Sequence, residues 1–160
     1  RAMATLSTDD LLWRPDTESN SIAVIVKHLW GNMRSRWTDF LESDGEKPWR
    51  QRDEEFEEGV YDREDILQWW NEGWQCLFSA LDSLQPADLS RTILIRSEPH
   101  TVLEAIHRQL AHYPYHIGQI IYISKTRNAG NWASLSIPRN GSTAYNQMKM
   151  EQAEGDSPAE

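Results

Sequence analysis

The stretch "SIAVIVKHLWGNMRSRWTDFL", residues 21–41, decides the fold, because its apolar side chains recur at spacings of three and four residues. That spacing places them on one face of an α-helix, as a helix buried along one side requires. Asn20 and Ser21 are both suitable N-caps. We therefore predict a helix over about 21–43, whose core-facing stripe is Ile22, Ile25, Val26, Leu29, Met33, Trp37, Phe40 and Leu41.

Two more long helices follow the same rule. One begins after Asp62, which Asp65 can help to cap, and Pro86 ends it. The other runs from Thr101 to about Thr126. It contains Pro114, which removes a backbone hydrogen bond and so predicts a kink or a restarted turn. The two apolar stripes are Ile66, Trp70, Leu77, Leu81 and Leu84, and then Val102, Leu103, Ile106, Leu110, Ile117, Ile120 and Ile121.

The segments between these helices predict connections. Residues 43–65 are rich in charge and contain Gly and Pro, which is typical of a long surface connection. Residues 91–99, "RTILIRSEP", alternate too briefly for more than an extended link. We therefore predict an all-α protein, an antiparallel four-helix bundle with three evident long helices. The first helix is short or missing, since only Leu6–Trp13 offers one. The domain spans 1–146, and 147–160 form a disordered tail.

Composition excludes several classes of partner. The 160 residues include 25 acidic and 16 basic side chains, a net charge of −9, which disfavours nucleic acid and anionic membranes. The apolar runs are far shorter than the roughly 20 residues that span a bilayer. The single cysteine, Cys76, cannot form an intrachain disulfide and fits a reducing compartment, so we expect a cytoplasmic protein. Its apolar neighbours suggest that this thiol is buried and inert.

The sequence "HRQLAHYPYHIGQI", residues 107–120, holds the chemistry candidates. His112 and His116 stand about 40° apart around a helix, so both imidazoles project from one face and can bind one ion. His28, at the edge of the first helical stripe, can supply a third ligand from a facing helix. Two simpler interpretations stay open: a chance histidine pair, and an interface histidine bonded to a backbone or carboxylate oxygen. We expect His107 to be solvated and His100 to cap its helix or have no role.

The family resemblance rests on three stretches: residues 20–56, beginning "NSIAVIVKHLWGNMRSRW"; residues 108–120, "RQLAHYPYHIGQI"; and residues 134–142, "SLSIPRNGS". Together they resemble an uncharacterised bacterial branch of the DinB-like superfamily, also called YfiT-like, over about Leu12 to Asn146. The resemblance implies a four-helix bundle, commonly dimeric, with a divalent metal held by three histidines. The matching positions are His28, His112 and His116. The chain differs from the family in its shorter first helix and in Pro114.

The resemblance also implies a function. Characterised relatives transfer or use a small cellular thiol such as bacillithiol or mycothiol, and others were named metal-dependent hydrolases. We therefore expect a thiolate, activated at a zinc, nickel or iron ion, to attack an electrophilic small molecule. The alternatives are a hydrolase at the same ion and a non-catalytic dimeric binding module.

Other polar residues have lesser predicted roles. Arg50, Arg52 and Arg139 can bind the carboxylates of a thiol cofactor, although ion pairs that pin loops are the simpler interpretation. Gln109 and Gln119 can orient the histidines. The acidic run over residues 53–58 predicts a solvated loop, and a ligand or substrate role for its carboxylates is the alternative.

Overall fold

Helix α2, Ile22–Trp37, is the central element of the computed structural model, which describes residues 1–155. The Ser21 hydroxyl caps it by accepting from the Val24 N–H at 3.2 Å. Side chains on nearly every side of α2 are buried. The helix therefore lies inside the molecule, with other elements packed around it.

The predicted end of α2 at about residue 43 is wrong. Thr38 is extended and Asp39 has a φ of +48°, a left-handed conformation that stops the helix. Phe40 is nevertheless buried, with its ring 5.1 Å from that of Trp37. The apolar spacing thus continued past the helix because the following turn also faces the core.

Helix α1, Thr8–Leu12, is the short first helix, and α3 spans Arg63–Asp82. The predicted Asp62–Asp65 cap of α3 is confirmed, because each side chain accepts from the other residue's backbone N–H. Both α1 and α3 pack against α2.

Helix α4, Val102–Arg127, runs through Pro114 as one uninterrupted helix, so the predicted restart is not observed. Pro114 is exposed, which lets its ring face solvent instead of the core. Thr101 and Glu104 cap the N-terminus of α4 reciprocally.

A β-hairpin precedes α4 where we predicted an extended link, so the chain is mostly helical but not all-α. Strands β1, Thr92–Ile95, and β2, Glu98–Thr101, pair antiparallel. Arg96 and Ser97 form the turn with φ values of 54° and 63°. The Asp44 carboxylate accepts from both of their N–H groups, at 2.7 and 2.6 Å, and thereby holds a turn that normally favours glycine.

Helix α5, Ser142–Gly155, includes residues 147–155 of the tail that the sequence predicts to be disordered. Residues 156–160 of that tail lie outside the described residues. The side chains of 142–153 are all exposed. The described part of the chain thus has four helices of seven or more residues, α2 to α5, but α5 does not complete a bundle. Across 1–155, no helix has the length and apolar character needed to cross a membrane.

Candidate metal centre

The structure brings His28, His112 and His116 together between α2 and α4. The ligand atoms that the three rings offer lie within 4.8 Å of one another. The Nε2 atoms of His28 and His112 are 3.3 Å apart. Two nitrogens bound tetrahedrally at zinc distances are separated by about 3.3 Å. The spacing of this pair therefore fits one shared ion.

Each of the three imidazoles has an oxygen acceptor beside its Nδ1 atom. For His28 it is Glu55 Oε2 at 2.9 Å, for His112 it is Gln109 Oε1 at 3.3 Å, and for His116 it is Gln119 Oε1 at 2.9 Å. The tautomer with its proton on Nδ1 donates to such an oxygen and leaves its Nε2 lone pair available to an ion. The predicted contact of Gln109 and Gln119 with the histidines is thus observed.

The electrostatics keep two of the three imidazoles, His112 and His116, neutral. Burial, then the proximity of His116 and His28, lower the pKa of His112 to about 4. Burial also lowers the pKa of His116, although its hydrogen bond to Gln119 opposes the shift. At neutral pH these two imidazoles carry no proton on Nε2, which is the form that binds a metal.

Glu55 is the functional residue that the sequence interpretation missed. Its neighbours Asp53, Glu54, Glu57 and Glu58 are exposed, as predicted for a solvated loop, but Glu55 itself is only 5% exposed. A 3-10 turn, Asp53–Phe56, points it inward. The one signal was the apolar Phe56 that interrupts the acidic run, and its ring centroid lies 4.7 Å from that of His28.

Two residues hold Glu55 in place. Arg50 donates to it twice, from Nε at 2.7 Å and Nη2 at 2.9 Å. Gly31 on α2 faces the carboxylate so closely that any side chain there would collide with it. Burial alone would raise the pKa of Glu55, but the bonds from His28 and Arg50 outweigh that effect and lower it. Glu55 is therefore an anion that orients His28.

Tyr113 fixes α4 against α2 one residue away from His112. Its buried hydroxyl donates to Asn32 Oδ1 at 3.3 Å and accepts from Trp37 Nε1 at 2.9 Å. Burial raises the pKa of this phenol well above its ordinary value, so it stays protonated. The two bonds set the register in which the histidines of both helices face each other.

The histidines open onto a cleft of about 690 Å³, a size suited to a small molecule. A second, more apolar cleft of about 760 Å³ adjoins it and shares Asn20, Tyr115 and Gln119 as lining.

Other predicted residues lie apart from the triad or are already paired. Arg50 is bound to Glu55, and Arg139 is exposed and does not line the cleft, so cofactor binding by either stays a prediction. Cys76, half-buried on α3, contacts the Met33 carbonyl and Thr38 instead of the cleft. His107 is exposed, as expected.

A family model with the description "Protein of unknown function (DUF1572)" matches residues 1–141. The chain belongs to the DUF1572 family. The match covers α1 to α4 and all three histidines. No curated protein and no solved structure matches the chain.

Proposed function

We propose that this DUF1572 protein is a divalent-metal enzyme that transfers a small thiol to an electrophile, with His28, His112 and His116 as the ligands. The observation that carries the proposal is the orientation of the three rings. Every Nδ1 atom has an acceptor, the Nε2 atoms of His28 and His112 are 3.3 Å apart, and the ligand atoms of all three rings lie within 4.8 Å of one another. Neutral imidazoles suit zinc, nickel and iron alike.

The chemistry of the ligand set favours catalysis over a structural role. A divalent ion held by His28, His112 and His116 would keep its positive charge and would lower the pKa of a thiol or water bound to it. Glu55 accepts a hydrogen bond from the His28 Nδ1–H, which makes the His28 Nε2 atom a stronger metal ligand. The open cleft admits a substrate to the same side of the rings.

An external thiol fits better than a thiol of the protein. Cys76 is the single cysteine of the chain, and it does not line the cleft. A thiol nucleophile at the histidines must therefore enter from solution.

We also propose that the family is a branch of the DinB-like superfamily, with α1 to α4 as its four-helix bundle and α1 as a shortened first helix. Support comes from the sequence stretches that carry the resemblance and from the packing of α1, α3 and α4 on α2.

A homodimer is part of the proposal. Phe78 on α3 and Leu103 and Leu110 on α4 are exposed, and the seven-residue spacing of the two leucines places them on one face. Light scattering should give twice the chain mass. Leu110→Glu should yield monomers, and Val60→Glu, at a fully exposed position elsewhere, should not. A monomeric parent protein at micromolar concentration would contradict this part.

Metal analysis tests the centre itself. Protein purified without a histidine tag should carry about one divalent ion per chain, as three-histidine sites do. His112→Ala should remove it, whereas His107→Ala, exposed on the same helix, should not. Less than about half an equivalent, unchanged by His112→Ala, would indicate the non-catalytic binding module instead.

Thiol consumption tests the reaction class. The metal-loaded protein should conjugate a small thiol to a test electrophile, and His116→Ala should lower the rate about 100-fold or more. Turnover of an ester or amide without added thiol would favour the hydrolase.

A further inference from the structure

The cleft that holds the histidines is strongly cationic, although the protein is acidic overall. Among the described residues, five arginines and no aspartate or glutamate line it, while the whole chain has 25 acidic against 16 basic residues. These are Arg36, Arg50, Arg52, Arg96 and Arg108. The concentration of one charge in one cleft points to an anionic ligand.

Three of the five guanidinium groups already have partners, and one of these is Arg96, which donates from Nε to Glu46 Oε2 at 3.0 Å. Arg50 donates two hydrogen bonds to Glu55. Arg52 lies over the Phe56 ring at 5.0 Å and forms an ion pair with Asp53 at 3.4 Å. None of these three is free to bind a ligand with its full fork.

Arg36 is different, because it is buried and largely unpartnered. It is 7% exposed, and its Nε and Nη1 atoms have no hydrogen-bond acceptor. Its ion pair to Glu46 Oε2 is long, 3.5 Å, and the same oxygen lies 3.0 Å from Arg96 Nε and 3.8 Å from Arg50 Nη1. The single Glu46 carboxylate thus lies beside three guanidinium groups, so their positive charge is only partly neutralised.

The loop before the hairpin holds Arg36 in this position. Gly45 is buried against it, and a Cβ at residue 45 would lie 3.1 Å from Arg36 Cδ and 3.2 Å from Nη1. The Ser35 hydroxyl donates to the Gly45 carbonyl at 2.7 Å. The guanidinium is therefore fixed before any ligand arrives, which limits the entropy lost on binding.

Helix geometry relates the free arginines to the histidines. His28, Asn32 and Arg36 follow one another at four-residue spacing on α2, and Arg108 precedes His112 by four on α4. Side chains spaced by four lie on the same helix face. The rise of a helix puts Arg108 about 6 Å, and Arg36 about 12 Å, from the histidines along the two axes.

Arg108 has no hydrogen bond or ion pair to any side chain described in 1–153. It and Arg36 belong to different helices but line the same cleft. Burial lowers the pKa of Arg36, and the nearby Arg50, Arg96 and Arg108 lower it further, against the opposing effect of Glu46. A ligand anion would relieve that repulsion.

We propose that Arg36 and Arg108 form a subsite for a carboxylate or phosphate group of the small-molecule substrate. The substrate then extends about 6–12 Å from this group to its reacting atom at the histidines. Guanidinium forks bind both kinds of anion through paired hydrogen bonds. The position of the reacting atom depends on the proposed function. The anion subsite itself is inferred from the arginines alone.

Calorimetric titration of metal-free protein tests the subsite independently of catalysis. The probes are inorganic phosphate, succinate and, as the neutral analogue of succinate, succinamide. We expect phosphate, succinate or both to bind and succinamide not to bind. The affinity should fall as sodium chloride is raised. The relative strength of the two anions identifies which group the substrate carries.

Two variants and a control decide the assignment. Arg36→Met and Arg108→Met should each weaken anion binding about tenfold or more, since each removes charge-assisted hydrogen bonds. Arg34→Met, exposed on α2 outside this cleft, should not. Arg108 is exposed, so its replacement leaves the fold intact. Equal affinities in Arg108→Met and Arg34→Met, or no anion binding at millimolar concentration, would overturn the subsite while leaving the metal centre standing.

Discussion

The two ends of the cleft differ in whether their polar groups have partners. At the histidine end, each Nδ1 has an oxygen acceptor, and the Glu55 carboxylate is paired with Arg50. At the arginine end, Arg36 is equally buried, but two of its nitrogens have no acceptor. A buried charge without a partner lowers stability. The first end is therefore complete except for a cation, and the second is built to receive an anion.

The largest loss of stability should come from removing a paired group at the histidine end. Arg50→Met leaves the Glu55 carboxylate buried without its guanidinium, which should lower the free energy of unfolding by about 3–5 kcal/mol. Denaturant unfolding of metal-free protein measures it. Arg52→Met, two residues away and exposed, should change it by less than about 0.5 kcal/mol. A similar small loss in both variants would show that the Arg50–Glu55 pair does not stabilise the site.

Glu55→Gln should have the next largest effect, on the metal instead of on the fold. The neutral amide is a weaker acceptor for the His28 Nδ1–H, so zinc affinity should fall about 10–100-fold. Competition with a chromophoric chelator measures the affinity. Glu54→Gln is the matched control, since Glu54 is exposed beside it. Unchanged zinc affinity in Glu55→Gln would mean that the carboxylate does not act through His28.

A third prediction concerns the hairpin that brings Arg96 to the arginine end. Burial tends to raise the pKa of Asp44, but the backbone N–H groups of Glu46, Ser97 and Arg96 donate to its carboxylate and lower the pKa below its ordinary 3.8. Asp44→Asn should cost about 1–2 kcal/mol at pH 7, because a neutral amide accepts these bonds less strongly.

The pH dependence of that cost follows from the direction of the shift. A lowered folded-state pKa gives stability that is fully present above the unfolded pKa and lost as the pH falls through the folded value. The difference between the parent protein and Asp44→Asn should therefore be constant from pH 7 to about 5 and shrink below about 4. Urea unfolding at several pH values measures it. A difference that persists at pH 2 would assign the cost to packing instead.

How far the sequence predicts the molecule can be seen residue by residue. The helices α2, α3 and α4 and the one-face placement of His112 and His116 follow from local rules, namely apolar spacing and reciprocal caps. That His28 completes the set was implied by the family resemblance. The hairpin does not follow from local rules, because its turn depends on Asp44, which lies 52 residues before Arg96. Glu55 was missed for the same reason, since its burial requires the distant Gly31 and His28.

The unpartnered state of Arg36 is also invisible in the sequence. In the α2 pattern, Arg34 and Arg36 are two similar basic residues in the last turn, and only the packed structure shows that one is exposed and the other buried. A charge without a partner is a property of the assembled cleft, and no local rule predicts it.

The smallest expected change in the free energy of unfolding is an increase, and it tests the difference between the two ends of the cleft most directly. Arg36→Met removes a buried guanidinium with unsatisfied donors, and Glu46 keeps its 3.0 Å ion pair with Arg96. The free energy of unfolding should therefore rise by about 1 kcal/mol, measured as for Arg50→Met. The same substitution would then stabilise one end of the cleft and destabilise the other. Such a result is expected if Arg36 is retained for a ligand, because a residue retained for the fold should not improve stability when it is removed. A loss of more than about 1 kcal/mol would instead place Arg36 among the residues that hold the loop around Gly45.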